Sequence, residues 1–171
     1  MTAIACVAAE GRGAVDRLFQ EVAARLAAMG WNLAGAVQQN CDRDDDGECD
    51  MDIRVLPAGG TYRISQRLGR ESQGCRLNPD ALECAVAEAA GLWGAARPDL
   101  LIINKFGKME GEGRGFRDLI ARAAAEGVPV LLGVNGLNRA ALEAFLGGPA
   151  PLVAAEVGAV LDWAAGQRAA A

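Results

Sequence analysis

A short, fully apolar run that breaks into a charged, glycine-rich loop is the feature that most constrains this fold. The run is Leu100-Leu-Ile-Ile103, and the loop after it continues to Gly115. A run this short and this rich in Leu and Ile is typical of a central parallel strand covered by helices on both faces. Ligands of open α/β sheets bind outside the carboxyl ends of the strands. The sequence therefore predicts a site here, although an ordinary βα loop with solvated charges explains the same residues.

Strand and helix patterns alternate along the rest of the chain. Apolar runs predict strands at 2–7, 31–38 and 128–134, and alternation around Pro-Ala-Gly-Gly predicts a β-hairpin over 51–66. Helical stripes predict helices at 15–29, 79–97, 116–125 and 138–145. A brief strand at 151–153 and a final helix follow. Gly30 ends the first helix, and Asn78 with Pro79 begins the second, where Cys84 is expected in the core. Short connections favour one α/β domain over residues 1–171, with strands 2–7, 100–104 and 129–134 parallel in one sheet.

The composition excludes several classes of function. The chain contains no histidine, which removes Ser-His-Asp and Cys-His catalysis and histidine-ligated metals. A net charge of -5 and few aromatic residues argue against a nucleic-acid partner. No run is long enough to cross a membrane, so no membrane insertion is expected. The five cysteines indicate reduced thiols without an obligatory disulfide, and the chain is expected in the cytoplasm.

The turn after the first predicted strand is a candidate anion cradle. Glu10-Gly-Arg-Gly13 separates that strand from a helix, and this geometry offers backbone N–H groups to an anion. Against G-x-x-x-x-G-K-[ST], however, Ala8 occupies the first glycine position, Ala14 the lysine and Val15 the hydroxyl residue. A plain βα turn therefore fits the spacing equally well.

Two polar segments supply further candidates. Ser72, Cys75 and Arg76 combine a hydroxyl, a thiol and a cation that suit a tetrahedral oxyanion, although surface loops contain the same groups. The segment 39–50 is too polar for a strand and is predicted to be a loop. It begins like a calcium-binding loop but has Ile53 where a bidentate Glu is needed. Cys41 and Cys49 could ligate a soft metal but lack a second C-x-x-C pair. The candidate metal ligands of this region are Cys49, Asp50 and Asp52.

Three segments together carry a resemblance to known families. They are Cys49-Asp-Met-Asp52, then Arg63-Ile-Ser-Gln66 with Gly74-Cys-Arg-Leu77, and Asn104-Lys-Phe-Gly-Lys108 with Glu112-Gly-Arg-Gly115. They resemble a bacterial family of unknown function often encoded beside molybdate-transport genes. The segment 99–110 also resembles the Walker B segment of the cancer-related nucleoside-triphosphatase family. The resemblance implies a P-loop-NTPase-like, three-layer α/β fold with a mostly parallel sheet and a β-hairpin extension, and it implies no activity.

Departures from the triphosphatase pattern determine the functional hypothesis. Asn104 and Lys105 occupy the positions of the magnesium-holding Asp and the water-activating Glu, while Ala14 and Val15 replace the Walker A lysine and hydroxyl. Phosphoryl transfer depends on those four groups, so no efficient hydrolysis is expected. The ligand-binding candidates of the last loop are Asn104, Lys105, Lys108 and Arg114.

The leading hypothesis is a protein that binds a small anion, either a nucleotide phosphate or an oxyanion such as molybdate, without cleaving it. One alternative is an unconventional nucleoside triphosphatase with Glu10, Asp16, Glu110 or Glu112 as metal ligands. A second is a regulatory or scaffold subunit that binds a partner protein. A homo-oligomer is compatible with the sequence.

Overall fold

The computed structural model describes residues 3–42, 49–69, 76–94 and 96–170, without the side chain of Asp42. These residues form a six-stranded sheet in the order β1-β6-β5-β2-β3-β4. The strands are β1 (Ile4–Val7), β2 (Leu33–Asp42), β3 (Cys49–Val55), β4 (Thr61–Arg63), β5 (Leu100–Phe106) and β6 (Val130–Val134). Strands β1, β6, β5 and β2 are parallel, and β3 and β4 are added antiparallel. The predicted parallel arrangement of the first, central and 129–134 strands is confirmed.

The described helices cover both faces of the sheet. They are α1 (Ala14–Ala28), α2 (Pro79–Trp93), α3 (Lys108–Gly111), α4 (Arg117–Glu126), α5 (Arg139–Leu146) and α6 (Val157–Ala169). Helices α1 and α6 pack in one core cluster, and α2, α4 and α5 pack in the other. Among the described residues, no helix combines the length and apolarity that a bilayer crossing needs.

The first four residues of strand β5 are all apolar, and the packing of the strand shows why. Leu100 and Ile102 belong to the cluster under α1, whereas Leu101 and Ile103 belong to the cluster under α2 and α4. Alternate residues of a strand point to opposite faces, so a strand covered on both sides has no position for a polar side chain. The first polar residue of the strand, Asn104, therefore marks the place where β5 passes from the core to the edge of the sheet.

The predicted loop over residues 39–50 is wrong at both of its ends. Strand β2 continues to Asp42 and β3 begins at Cys49, paired as Cys41 with Asp50 and Asp42 with Cys49. The pairing of β2 with β5 ends at Ala36 and Ile103. Beyond that point β2 pairs only with β3 among the described strands, and the two form a ribbon. Polar side chains are tolerated there because the ribbon extends past the carboxyl edge of the parallel sheet. Residues 43–48, which hold most of the calcium-loop pattern, lie outside the described residues.

Two expectations about the helices need correction, and one helix was not predicted. Cys84 is exposed because the buried stripe of α2 passes through Leu82, Ala85, Ala89 and Trp93, and Cys84 lies on the opposite side of the helix. Helix α2 ends at Trp93, with Gly94 as C-cap, rather than at Arg97. The short helix α3 was not predicted.

Candidate functional site

The turn between β1 and α1 has the backbone conformation of a tight glycine turn. Gly11 and Gly13 both have positive φ, at 94° and 73°, a backbone conformation that residues with a Cβ rarely adopt. Gly13 is the N-cap of α1 and supplies no side-chain cap, so the first N–H groups of the helix depend on other acceptors. The turn (residues 8–13) therefore presents the helix end, with its partial positive charge, at the carboxyl edge of the sheet.

A pocket of about 330 Å³, here named the turn pocket, lies over this edge. Its walls come from the glycine turn, the start of α1, the β2–β3 ribbon and the ends of β5 and β6. The lining residues are Gly11, Arg12, Gly13, Ala14, Val15, Asp16, Gln38, Asn40, Cys49, Met51, Asn104, Lys105, Gly133, Val134 and Asn135. The structure thus brings together the two candidate loops that are more than ninety residues apart in sequence.

The floor of the turn pocket is a closed ring of hydrogen bonds, here named the amide ring. The Asn104 amide nitrogen donates to Asp16 Oδ1 over 2.7 Å, and Asn104 Oδ1 accepts from the Gln38 backbone N–H over 2.9 Å. The Gln38 side chain then donates to Asn40 Oδ1 over 2.8 Å, and the Asn40 amide donates to Asp16 Oδ2 over 2.6 Å. Each carboxylate oxygen of Asp16 accepts a neutral amide donor. The buried Asn104 also supplies the acceptor for β2 where β2 leaves β5.

This arrangement does not fit a magnesium ion of the kind that triphosphatases hold. Magnesium needs oxygen ligands in octahedral geometry, and the oxygens of Asp16 and Asn104 already accept hydrogen bonds within the amide ring. Val15, at the position of the metal-binding hydroxyl, has no polar side-chain atom. Within the described ranges, no three His, Cys, Asp or Glu residues form a metal-binding group. No chemical step is therefore derived through a metal.

The cations of the turn pocket lie at its rim rather than at its floor. Arg12 and Lys105 both line the pocket and are exposed. Arg17 reaches over the turn as well, since its guanidinium would lie 3.2 Å from a Cβ at Gly13. In contrast, Asp16, the one carboxylate among the described lining residues, is bound by two amides. The described part of the rim is therefore positive in a chain whose formal net charge is -5.

A second pocket of about 500 Å³, here named the apolar pocket, adjoins the first on the α2 side of the sheet. The two pockets share Gln38, Met51, Asn104, Lys105 and Asn135. Its walls are formed by Ala36, Ile53, Ile64, Leu82, Ile103 and Phe116 together with α3, and Arg76 and Lys108 also line it. Lys105 is thus common to both pockets.

The loop after β5 is held in place by a buried carboxylate. Glu110 accepts from the Gly107 N–H over 2.9 Å and from the Phe116 N–H over 3.1 Å. Burial raises the pKa of Glu110, although these backbone hydrogen bonds lower it in part. Gly115 is required beside it, because a Cβ there would overlap Glu110 Oε1. Glu110 therefore shapes the segment 107–116, which carries Lys108 and directly follows the strand end where Lys105 lies.

The remaining sequence-predicted residues are placed as follows. Arg76 donates to the Cys49 carbonyl oxygen over 3.0 Å, and Arg114 pairs with Glu112 over 2.8 Å. Glu10 and Arg114 are exposed and line neither pocket. Ser72 and Cys75 lie outside the described residues.

The three candidate metal ligands have different surroundings. Asp50 and Asp52 both pair with Arg63, over 2.7 Å each, whereas Cys49 lines the turn pocket. Neighbouring residues of a strand point to opposite faces, so Cys49 and Asp50 do not face one cavity. The carboxylates that the triphosphatase alternative requires are also separated, since Asp16 lies in the amide ring, Glu110 in the loop and Glu112 on the surface with Arg114.

Sequence reasoning missed the residues that the ribbon and β6 contribute. Gln38, Asn40 and Asn135 line the site, and each comes soon after a buried stretch of strand. Polar side chains at the carboxyl ends of parallel strands are the signal that could have found them. The wrong assignment of residues 39–50 as a loop concealed Asn40.

Comparisons with known proteins agree with this fold. A family model described as a protein of unknown function (DUF2478) matches residues 4–163. The chain is 36% identical over 135 residues to Molybdenum import ATP-binding protein ModC 2 of Bradyrhizobium diazoefficiens. That alignment covers 78% of this chain but only 15% of the relative.

A solved structure gives the same result at the level of fold. The solution structure of a human cancer-related nucleoside triphosphatase is similar with a TM-score of 0.58 and 14% identity, over 90% of this chain and 89% of that chain. At this identity the likeness shows the fold alone. It confirms the predicted P-loop-like α/β architecture with a mostly parallel sheet flanked by helices.

Proposed function

Since the chain belongs to the family of proteins of unknown function matched above, DUF2478, we propose its function from the site itself. The protein binds a small anion, a nucleotide phosphate or a tetrahedral oxyanion such as molybdate, in the turn pocket and does not hydrolyse it efficiently. The observation that carries the proposal is the positive rim above a neutralised floor. Arg12 and Lys105 are available to an anion, whereas the amide ring occupies the acid that a metal would need.

Three features support anion binding at this place. The first turn of α1 directs its N–H groups and its partial positive charge toward the turn pocket. Gly11 and Gly13 allow the backbone to approach a ligand closely, because no Cβ projects from them. The cations are exposed at the rim, where an anion can displace water and gain charge-assisted hydrogen bonds.

The choice of probes follows from the relatives. One relative is named as a molybdenum import ATP-binding protein, and the structural neighbour is named as a nucleoside triphosphatase. These names motivate molybdate, phosphate and ATP as test ligands for this chain. The thiol content further supports a reducing compartment, so the proposal places the protein in the cytoplasm.

The test is calorimetric titration of the whole chain with phosphate, molybdate and ATP, each with and without magnesium. We expect binding without a magnesium requirement. Arg12→Ala and Lys105→Ala should each weaken it by about 1–3 kcal/mol, the size of a lost charged hydrogen bond. Arg25→Ala is the matched control, since Arg25 pairs with Glu21 over 2.6 Å in the last turn of α1.

Two outcomes would overturn the proposal. One is the absence of binding of all three anions to the wild-type chain at millimolar concentration. The other is robust magnesium-dependent release of phosphate from ATP, which would favour the unconventional triphosphatase instead. If Arg25→Ala weakened binding as much as Lys105→Ala, the effect would reflect overall charge rather than the turn pocket.

A further inference from the structure

The apolar pocket is larger than a phosphate cradle needs and differs from it in chemistry. Its volume is about 500 Å³, within the range of small-molecule sites. Carbon atoms of Ile53, Ile64, Leu82, Ile103 and Phe116 form its walls. A bare oxyanion gains nothing from such walls, because it remains fully hydrated or bound to polar donors. The pocket therefore suits an apolar or aromatic group attached to the anion.

Two polar residues of this pocket, Asn135 and Asn138, have their side-chain amides side by side. The Asn138 side-chain nitrogen donates to Asn135 Oδ1 over 2.9 Å, and both residues line the pocket. This bond leaves the NH2 group of Asn135 and the acceptor Asn138 Oδ1 without a partner among the described residues. A neighbouring donor and acceptor match the edge of a nitrogen heterocycle better than a hydrocarbon chain.

The two pockets meet at Lys105, and this junction sets which end of a ligand lies in which pocket. Lys105 lines both cavities, and Lys108 and Arg76 add positive charge on the apolar side. An anionic group at the glycine turn and a ring in the apolar pocket would both lie against Lys105. The combination of an apolar wall, an amide pair and a cationic junction defines one class of ligand.

We propose that this cleft binds an organic phosphate of the mononucleotide class, with its heterocyclic ring in the apolar pocket and its phosphate at the glycine turn. The ring lies across β5 from α1, on the side of the sheet that α2 and α3 cover. This inference rests on the proposed anion site and selects the heterocyclic phosphate over the bare oxyanion. It also assigns Asn135 and Asn138 as residues that select the ring.

The experiment divides the ligand into its parts. Phosphate, ribose 5-phosphate, adenosine, AMP, GMP and UMP are titrated separately into the whole chain by calorimetry. At least one of the three nucleotides should bind at least about tenfold more tightly than ribose 5-phosphate, because only the nucleotide buries a ring. If ribose 5-phosphate binds as tightly as every nucleotide, the ring has no site and this inference fails, while the anion proposal stands. If no phosphate compound binds, this inference fails, and the anion proposal fails with it when molybdate does not bind either.

The location of the ring is tested independently of affinity. In methyl-labelled protein, the resonances of Ile53, Ile64 and Ile103 should shift with the tightest-binding nucleotide and remain unchanged with phosphate. Asn138→Ala should lower the affinity for that nucleotide about tenfold and leave that for phosphate unchanged, since its side chain does not cap α5. Ile4, at the other end of the sheet, is the control methyl group. Tight nucleotide binding without shifts at the three pocket methyls would overturn the assignment.

Discussion

Asn104 connects the glycine turn to the β2–β3 ribbon through its two amide atoms. Its nitrogen donates to Asp16 in α1, and its oxygen accepts from the Gln38 backbone in β2. A buried amide with both groups satisfied stabilises the arrangement, whereas loss of either partner leaves a desolvated polar group. In this contact the helix carries the acid, Asp16, and the strand supplies the neutral donor, Asn104.

Asn104→Asp tests this pairing of an acid with a neutral donor. The substitution would place a second carboxylate 2.7 Å from Asp16 Oδ1, where two carboxylates must share one proton. The folded protein would then bind that proton more tightly than the unfolded chain. The free energy of unfolding of the variant, relative to the wild type, should therefore fall as pH rises above about 4. Urea denaturation at several pH values between 4.5 and 8 measures it.

Asn104→Ala is the matched control for that prediction. It removes the donor and the acceptor without adding a titratable group. The free energy of unfolding should therefore fall by about 1–3 kcal/mol at every pH. If the free energy of unfolding of Asn104→Asp, relative to the wild type, were also independent of pH, the direct contact of Asn104 with Asp16 would be contradicted.

At the scale of elements, the loop after β5 depends on the buried Glu110 carboxylate. Glu110→Gln replaces one of its two acceptor oxygens by a donor that would face a backbone N–H, of Gly107 or of Phe116. We expect a loss of about 1–3 kcal/mol in the free energy of unfolding. Burial raises the pKa of Glu110, so the folded state holds its proton more tightly than the unfolded chain. The stability advantage of the wild type over Glu110→Gln should thus shrink as pH rises above about 4.3.

Glu112→Gln serves as the comparison, in the same loop but on the surface. The Arg114 guanidinium lowers the pKa of Glu112, so the pH dependence of stability has the opposite sign. The stability advantage of the wild type over Glu112→Gln is lost as pH falls. The effect should be small because the ion pair is exposed. Chemical denaturation of both variants across pH 4 to 8 gives the two slopes. Slopes of the same sign would contradict the buried environment of Glu110.

The contact between β5 and β6 beside the site depends on the absence of a side chain at Gly133. A Cβ there would lie 2.0 Å from the Asn104 carbonyl oxygen and 2.9 Å from Val15 Cγ1. Gly133→Ala must push β6 away from β5 or displace α1, at a cost of about 1–3 kcal/mol or more. Gly136→Ala is the control, since nothing lies within 4 Å of its Cβ position. Equal thermal stability of the two variants would contradict the close approach.

Elements with strong local signals could be predicted from the sequence, and elements defined by distant contacts could not. Helix α1 has its apolar stripe and Gly30 at its end, where Gly30 and Trp31 donate back to Ala27 and Leu26. The ribbon over 37–42 and 49–55 lacks such a signal, because its polar strands are stabilised by pairing with each other. Cys84 was misplaced because the alanines of α2 define its buried stripe only faintly.

The candidate site was predictable in its position but not in its chemistry. The sequence analysis named the segments after β1 and after the apolar run of β5 as separate candidates, and residues of both line the turn pocket. The amide ring joins residues that are 24, 66 and 88 positions apart, and no local pattern indicates such pairs. The apolar pocket was likewise hidden, since its walls are ordinary core residues that the fold leaves at an edge.

At the scale of the whole molecule, the positions of the two lysines distinguish the cleft from the rest of the chain. The chain has 17 basic residues, but its lysines are confined to positions 105 and 108. Both line the apolar pocket, and Lys105 lines the turn pocket as well. In a protein with a net charge of -5, this local positive charge favours the approach of anions to this edge of the sheet. Binding should weaken as ionic strength rises.

This distribution makes amine acylation a site-specific probe of the native protein. Lys108 is 78% exposed and lies 3.7 Å from Glu112, so it should react with or without phosphate. Lys105 should react more slowly when phosphate is bound, because the anion covers its ammonium group at the turn pocket. A nucleoside monophosphate, which also occupies the apolar pocket, should slow the acylation of both lysines. Peptide mass spectrometry after timed acylation measures each rate separately, and the α-amino group is the internal control. Equal protection of both lysines by phosphate alone would place the anion outside the turn pocket.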